Sequence, residues 1–551
     1  MSRAERASTG STSSTTTAVR RSPTRGNSNA QTSDRVVRRA LALVVGVGVV
    51  LRVAQYLSDR SLWLDESLLA LNLMGRSLAD VVGQLLFGQA APVPFLAAQW
   101  LVTSVGGTSE AALRLVPLLA GLASTVLFAV LAHRVAKGWT AVVATSAFVV
   151  SNGLIYYAAE LKPYSVDVLV AIVLVLLGVG ILEHEPSSRR AVAYAFAGLA
   201  AILCSFPSVF VACGVLAAVL AQPLVSPTRW APRLWFAGIW VATIGAVGLV
   251  ALARTEEVRS AFEGGGSVSR GAFGDGLLSV EWLNGFATGL VNSIGLSEER
   301  PVSHLYKVAA LVVVLGLVAL AVRRWLLALM LAVPFLATLV ASSLDLYPLT
   351  ERTTLFLVPL VVLLLAEGVA APMRWVRAPL GVALAAALGV AVLAFPVYEA
   401  AGHLADPRVK EELRPALVGL LARAAPGDTL YLHPGAQYAY RYYAECDCFD
   451  RSERLRRLFP YRALDGRRDD SAALRPTGPR LLLGARDDEA ADLRRRLSRV
   501  HGRVWVVHSH AEGQDEEEFF ARGLPRELDA LGSRVAVVRA PGATAYLYRL
   551  P

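Results

Sequence analysis

The sequence predicts a polytopic α-helical membrane protein that ends in a small α/β domain. Three observations predict it. Before residue 400 much of the chain reads as apolar runs of about 15 to 22 residues, long enough for a helix to cross a hydrocarbon core. Lys and Arg collect at alternate connections between these runs. From about residue 400 the composition turns charged and mixed, although the whole chain is 54% hydrophobic, with a mean hydropathy of +0.48.

Residues 1–37 are rich in Ser, Thr and Arg and have too little apolar content to fold, so they are expected to form a disordered cytoplasmic tail. The tail is too long and too polar for a secretory signal, and no small-residue cleavage site follows its apolar run. The membrane domain is placed at 38–399. Its candidate spans are 38–57, 112–134, 139–159, 163–183, 190–204, 207–224, 234–253, 305–322, 325–343, 353–371 and 378–398, about 11 in all. Basic residues at Arg38/Arg39, Arg134/Lys137, Arg189/Arg190, Arg229/Arg233, Arg323/Arg324 and Arg374/Arg377 put those connections on the cytoplasmic side. The loop 58–111, the Glu160 turn, the loop 254–304, the Tyr347–Arg352 turn and the C-terminal domain then lie outside. The expected location is the plasma (inner) membrane, with the N-terminus cytoplasmic. Pro92 to Val105 is apolar but short, and counting it as a span would invert every later loop; it is read as a re-entrant or interfacial helix.

Residues 400–551 are expected to form an extracytoplasmic α/β domain. Thr429–Leu432, Arg480–Leu483 and Arg503–Val507 read as strands and Asp487–Val500 as an amphipathic helix. The acidic run Asp515–Glu518 opens a further helix, and Val535–Arg539 pairs with Ala543–Arg549 around Pro541-Gly542.

A net charge of +10 and a pI near 9.6 suggest nucleic acid at first sight. The basic residues are spread over loops and the tail, so topology and anionic membrane lipid account for them, and no nucleic-acid partner is expected. Cys204 and Cys213 lie in spans, and Cys446-Asp447-Cys448 is too closely spaced for an easy disulfide. His508 and His510 fall at i, i+2 on one strand face and would need His433 or Cys446 to make a metal site, so a coincidental pair of strand residues is the expected reading. Gly264–Gly266 reads as loop flexibility, since no strand and helix flank it.

The candidate chemistry gathers on the external side. Asp65 and Glu66 follow the first span. They suit a helix start at the interface, or a general base beside a second acid that binds metal or orients a hydroxyl. In Tyr156-Tyr157-Ala158-Ala159-Glu160-Leu161-Lys162-Pro163-Tyr164, Pro163 disfavours helix at Lys162. An extended stretch there would point Glu160, Lys162 and Tyr164 to one side; the bland reading is an interfacial Glu-Lys pair with belt tyrosines. Arg352 in Glu351-Arg352 and Arg52 within the first span either snorkel to headgroups or hold a phosphate with their forks.

The ordered set Leu62-Trp63-Leu64-Asp65-Glu66, Gly88-Gln89-Ala90-Ala91-Pro92, Ala112-Leu113-Arg114-Leu115, Tyr156 to Tyr164, Ser205-Phe206-Pro207 and Glu351-Arg352 resembles the GT-C glycosyltransferases of family 39 type over about residues 38–400. These include the protein O-mannosyltransferases, the aminoarabinose transferase of lipid A and the Rgt-type core sugar transferases. The resemblance implies a GT-C fold and transfer of a sugar from a polyprenyl-phosphate carrier to a glycan, lipid or protein acceptor outside the membrane. It matches Asp65 to the first-loop acid that family members use as the base or acceptor-orienting group, Glu66 to its companion and Glu160 to the acid of a Glu-Ala-Arg-Pro-Tyr element. Lys162 stands where Arg is usual, and Gln89 where many members have His before Pro-Pro. A divalent cation is an open question, with Asp65, Glu66 or Glu160 as its ligands if one is used. A polyprenyl phosphate is a good leaving group, so the site needs a base for the acceptor and cations for the phosphate, here Arg352 and Lys162, and direct displacement inverts the anomeric centre. The alternatives are a transporter or flippase of envelope lipids or glycans, and a non-catalytic assembly protein. Few ionisable residues lie mid-span and no internal repeat is visible, against the first; the retained acids speak against the second.

Overall fold

The computed structural model describes residues 25–184, 188–224, 230–253, 280–295, 305–464, 472–484, 489–511 and 514–551. The first helix, α1, runs Arg25–Tyr56. The disordered tail expected over 1–37 is therefore helical from residue 25, and 1–24 lies outside the described residues. After it come α2 (Leu64–Leu73), α3 (Leu78–Val82), α4 (Val93–Gly106), α5 (Glu110–Val135), α6 (Trp139–Val149), α7 (Asn152–Tyr156) and α8 (Tyr164–Glu183). Of the expected loop 254–304, only the helix Val280–Ile294 and the residue after it are described, and the Gly264–Gly266 run falls outside.

Five described helices are long and apolar enough to cross a membrane, or six if α6 and the segment Asn152–Ala159, bent by 58°, form one broken span. The expected count of 11 is not reached on that measure. Ser208–Leu224 and Arg233–Leu249 are apolar but short. The expected spans 305–322 and 325–343 lie on either side of Arg324, whose non-helical backbone (φ −147°, ψ 63°) breaks Leu305–Ser343 into two helices, although on length and composition that stretch counts once. The helix α4 has 14 residues, shorter than a span.

Ion pairs sort the connections by end. Glu367 accepts from Arg323 (3.2 Å) and Arg374 (2.7 Å), while Arg324 donates to the Val135 carbonyl (3.1 Å) and approaches Glu183. The basic turns near 135, 184, 324 and 374 therefore share one end of the helical bundle. Asp65, Glu160 and Arg352 gather at a different place, described below.

The C-terminal part carries a five-stranded mixed sheet in the order β4-β1-β5-β7-β6, with β1 Thr429–Leu432, β4 Leu481–Leu483, β5 Gly502–Ser509, β6 Ser533–Ala540 and β7 Ala543–Leu550. A separate two-stranded ribbon pairs β2 (Tyr461–Ala463) with β3 (Leu474–Pro476). β1 is parallel to β4 and β5, and β7 is antiparallel to β5 and β6. The helices Leu413–Arg423, Gln437–Glu445 and Ser452–Leu458 were not expected from the sequence. Alternation along β5 divides two cores. Val504 and Val506 pack with Leu493, Leu497 and Leu528. Trp505 and Val507 pack with Leu430, Leu432, Leu417 and Tyr442, and that core continues into Leu62, Trp63, Leu64, Leu69 and Leu71 of the first external loop. The loop bearing Asp65 is thus built into the apolar core of the C-terminal domain.

Cys446 and Cys448 form a disulfide, correcting the spacing argument. His510 has left the strand, with φ +64°. It does not share a face with His508: His508 stacks on Phe520 (4.3 Å between ring centres), while His510 Nδ1 lies 2.7 Å from Glu411 Oε1. Burial, then His433, holds the His508 pKa down at about 3.

Candidate active site

The helix α2 begins at Leu64 without a side-chain cap of its own. Glu411, from the chain leading into the C-terminal domain, accepts from the Leu64 N–H (3.1 Å), and Glu412 accepts from the Ser61 N–H (3.1 Å) and Oγ (2.9 Å). Carboxylates at a helix start satisfy orphan donors and complement the dipole. Asp65 and Glu66 then occupy the first turn, where successive side chains diverge by about 100°.

They have different fates. Glu66 is fully buried and its carboxylate is enclosed: Arg114 Nε (2.8 Å) and Nη2 (2.6 Å) donate to it, as does the Leu161 N–H (2.9 Å). Arg114 also donates to the carbonyls of Arg60 (2.8 Å) and Ser61 (2.9 Å). Burial would raise the Glu66 pKa, but Arg114 and Arg60 hold it below the usual range. Glu66 therefore ties together α2, α5 and the Glu160 turn and points away from the Asp65 cluster.

Asp65 faces the other way, toward Arg352, which donates to it from Nη1; the two side chains are 19% and 26% exposed. The Arg352 turn is held by its threonines: Thr353 Oγ1 donates to the Pro348 carbonyl (2.7 Å), and Tyr347 Oη donates to the Thr353 carbonyl (2.7 Å). Burial would raise Asp65, but Lys162, Arg352, Lys410 and His510 together pull it down to about 2. Burial works against the Arg352 cation, yet Tyr164, Asp65, Tyr157 and Glu160 more than offset it and raise its pKa.

The stretch expected to be extended at 160–162 is a tight turn: Glu160 is extended (φ −125°, ψ 136°), but the Lys162 N–H bonds back to the Glu160 carbonyl (2.7 Å). Glu160 and Lys162 still reach the cluster. Lys162 Nζ donates to Gln89 Oε1 (2.7 Å), and burial, ahead of the attraction of Asp65, lowers its pKa. Glu160 is fully buried, with Oε2 3.5 Å from Lys410 Nζ and Oε1 without a hydrogen-bond partner. Tyr164 opens α8 with its ring edge-on to Tyr157 at 5.4 Å.

Arg52 does not join them. It is buried and its guanidinium donates to the carbonyls of Gly48 (3.2 Å), Val149 (3.4 Å) and Phe148 (3.5 Å), the last two at the end of α6. Sequence reasoning missed Lys410 and Glu411, whose only signal is the charge run Arg408 to Glu412 after the last apolar segment, and it considered His510 only as a strand partner of His508.

The donor set does not fit a divalent cation. Asp65 pairs with Arg352, Glu66 with Arg114 and Glu160 with Lys410, and no group of three His, Cys, Asp or Glu with metal-binding geometry occurs among the described residues. Charge here comes from Lys and Arg.

No family model and no curated protein matches the chain. Among solved structures, ArnT from Cupriavidus metallidurans in the apo state is similar over 92% of this chain and 97% of its own, at 13% identity and a TM-score of 0.48. The same protein bound to undecaprenyl phosphate gives 13% and 0.47 over the same shares. The archaeal oligosaccharyltransferase AglB from Archaeoglobus fulgidus, in complex with an inhibitory peptide and a dolichol-phosphate, is similar over 92% of this chain and 74% of its own, at 9% identity and 0.49.

Proposed function

We propose that this chain is a membrane glycosyltransferase that moves a sugar from a polyprenyl-phosphate donor to an acceptor hydroxyl on the extracytoplasmic side, with inversion. The observation that carries the reading is the convergence of Asp65, Lys162 and Arg352, from three separate connections, into one partly buried cluster. It is the machinery this reaction needs: a carboxylate for the acceptor proton and cations for the departing phosphate. The ordered sequence motifs place the same residues in a GT-C pattern.

In the displacement, the acceptor oxygen bonds to the anomeric carbon as the bond from that carbon to the phosphate oxygen breaks. Its electron pair leaves with the polyprenyl phosphate, and the acceptor proton passes to Asp65. Arg352 and Lys162 meet the growing charge on the phosphate, Arg352 as a fork and Lys162 as a point charge steadied by Gln89. A carboxylate held near 2 by cations is a weak base. A donor phosphate brings negative charge to the same cations, relieves their pull on Asp65 and raises its basicity, so donor binding prepares the base. The basic turns gathered at one end of the bundle support the extracytoplasmic placement of the cluster.

The test is incubation of the purified protein with polyprenyl-phosphate sugars and a lipid or glycan extract as acceptor, following release of free polyprenyl phosphate. Acceptor-dependent release supports the reading. Absence of release with hexosyl and pentosyl donors alike counts against it.

A further inference from the structure

Lys410 lies on the segment that joins the long helix Leu380–Ala405 to the C-terminal domain, and it enters the cluster from there. Its Nζ is 3.6 Å from the centre of the Trp63 ring and 3.5 Å from Glu160 Oε2, with the rings of Tyr156 and Tyr157 at 4.9 and 5.4 Å. An ammonium among aromatic faces is attracted by their quadrupoles and partly dehydrated, and burial lowers its pKa.

The position is held from behind. Glu411 and Glu412 are tied to the Asp65 loop at Leu64 and Ser61. The Glu412 N–H donates to the Pro541 carbonyl (2.7 Å) at the β6–β7 turn. There Gly542 has φ +64°, and a Cβ on it would fall 2.2 Å from the Lys410 carbonyl oxygen. Only glycine permits both that conformation and that approach. The sheet's hairpin tip thus presses on the main chain whose side chain reaches Asp65 and Glu160. Lys162, Arg352 and Lys410 face Asp65 and Glu160, a surplus of positive charge that suits an anion.

We propose that Lys410 is a third cation contacting the donor phosphate, so that the C-terminal domain, through the Pro541-Gly542 tip, completes a donor site which the membrane part does not close alone. This rests on the reading of the cluster as a polyprenyl-phosphate site. The alternative is that Lys410 serves only to neutralise Glu160.

Binding of undecaprenyl phosphate in detergent to the full chain separates the two. Lys410→Ala is expected to weaken binding on the order of tenfold or more, with Lys410→Arg intermediate. Lys410→Gln keeps a donor toward Glu160 without the charge and is also expected to bind weakly, which covers the case of a misfolded alanine variant. The double variant Glu160→Gln with Lys410→Ala removes both charges and stays weak if Lys410 meets the phosphate. Wild-type affinity in Lys410→Gln, or its recovery in the double variant, overturns the proposal and leaves the transferase reading intact. Absence of binding to the wild type overturns both.

Discussion

Arg352 donates from Nη1 to the Asp65 carboxylate across 287 positions of sequence, joining the turn before the helix Val358–Ala370 to the first turn of α2. The cation proposed for the phosphate and the acid proposed for the acceptor therefore hold one another. If the Arg352 fork binds the donor phosphate, Arg352→Ala weakens donor affinity about 10- to 100-fold and Arg352→Lys retains part of it. Titration of undecaprenyl phosphate against the two variants measures this; equal affinity for alanine and wild type removes Arg352 from the site.

The same pair predicts a pH dependence. Asp65 titrates at about 2 in the folded protein against an ordinary 3.8. Its pKa is depressed, so its stabilisation is present above pH 4 and is lost as the pH falls through about 2. A shift of this size corresponds to at most about 2 kcal/mol, less because both side chains keep some contact with water. Unfolding curves of wild type and Asp65→Asn in detergent should differ at pH 6 and converge toward pH 2.

Glu66 predicts stability rather than chemistry. Glu66→Gln leaves the Arg114 guanidinium, 3% exposed, without its countercharge, and such losses cost about 3–5 kcal/mol. A large drop in melting temperature is expected. A variant of normal stability but no activity would return Glu66 to the reaction centre.

The charge bias predicts a tag at residue 20 on the cytoplasmic side and one at residue 551 outside. Protease treatment of intact spheroplasts reads this directly, and a protected C-terminus means that α4 spans after all or that another segment does not.

The sequence made the apolar helices and the β6–β7 hairpin legible because period and turn chemistry are local. It also marked Asp65, Glu160, Lys162, Gln89 and Arg352, since each sits where a connection leaves an apolar run. It did not separate Asp65 from Glu66, though adjacent helical side chains diverge and the two could not both face one centre. Arg52 lies apart from the cluster because an arginine near a helix end serves carbonyls as readily as phosphate. Lys410 was invisible because Arg408-Val409-Lys410-Glu411-Glu412 reads as a solvated linker; only the pairing of Glu411 and Glu412 with main-chain donors at 64 and 61 shows that it is built into the site.

The most direct test of the account is a single-turnover transfer assay with Asp65→Asn, donor saturating and bound as in the wild type. An amide keeps a hydrogen bond to Arg352 but accepts no proton, so the account predicts donor binding with the chemical step slowed about 100-fold or more. Wild-type turnover by Asp65→Asn under these conditions would contradict it.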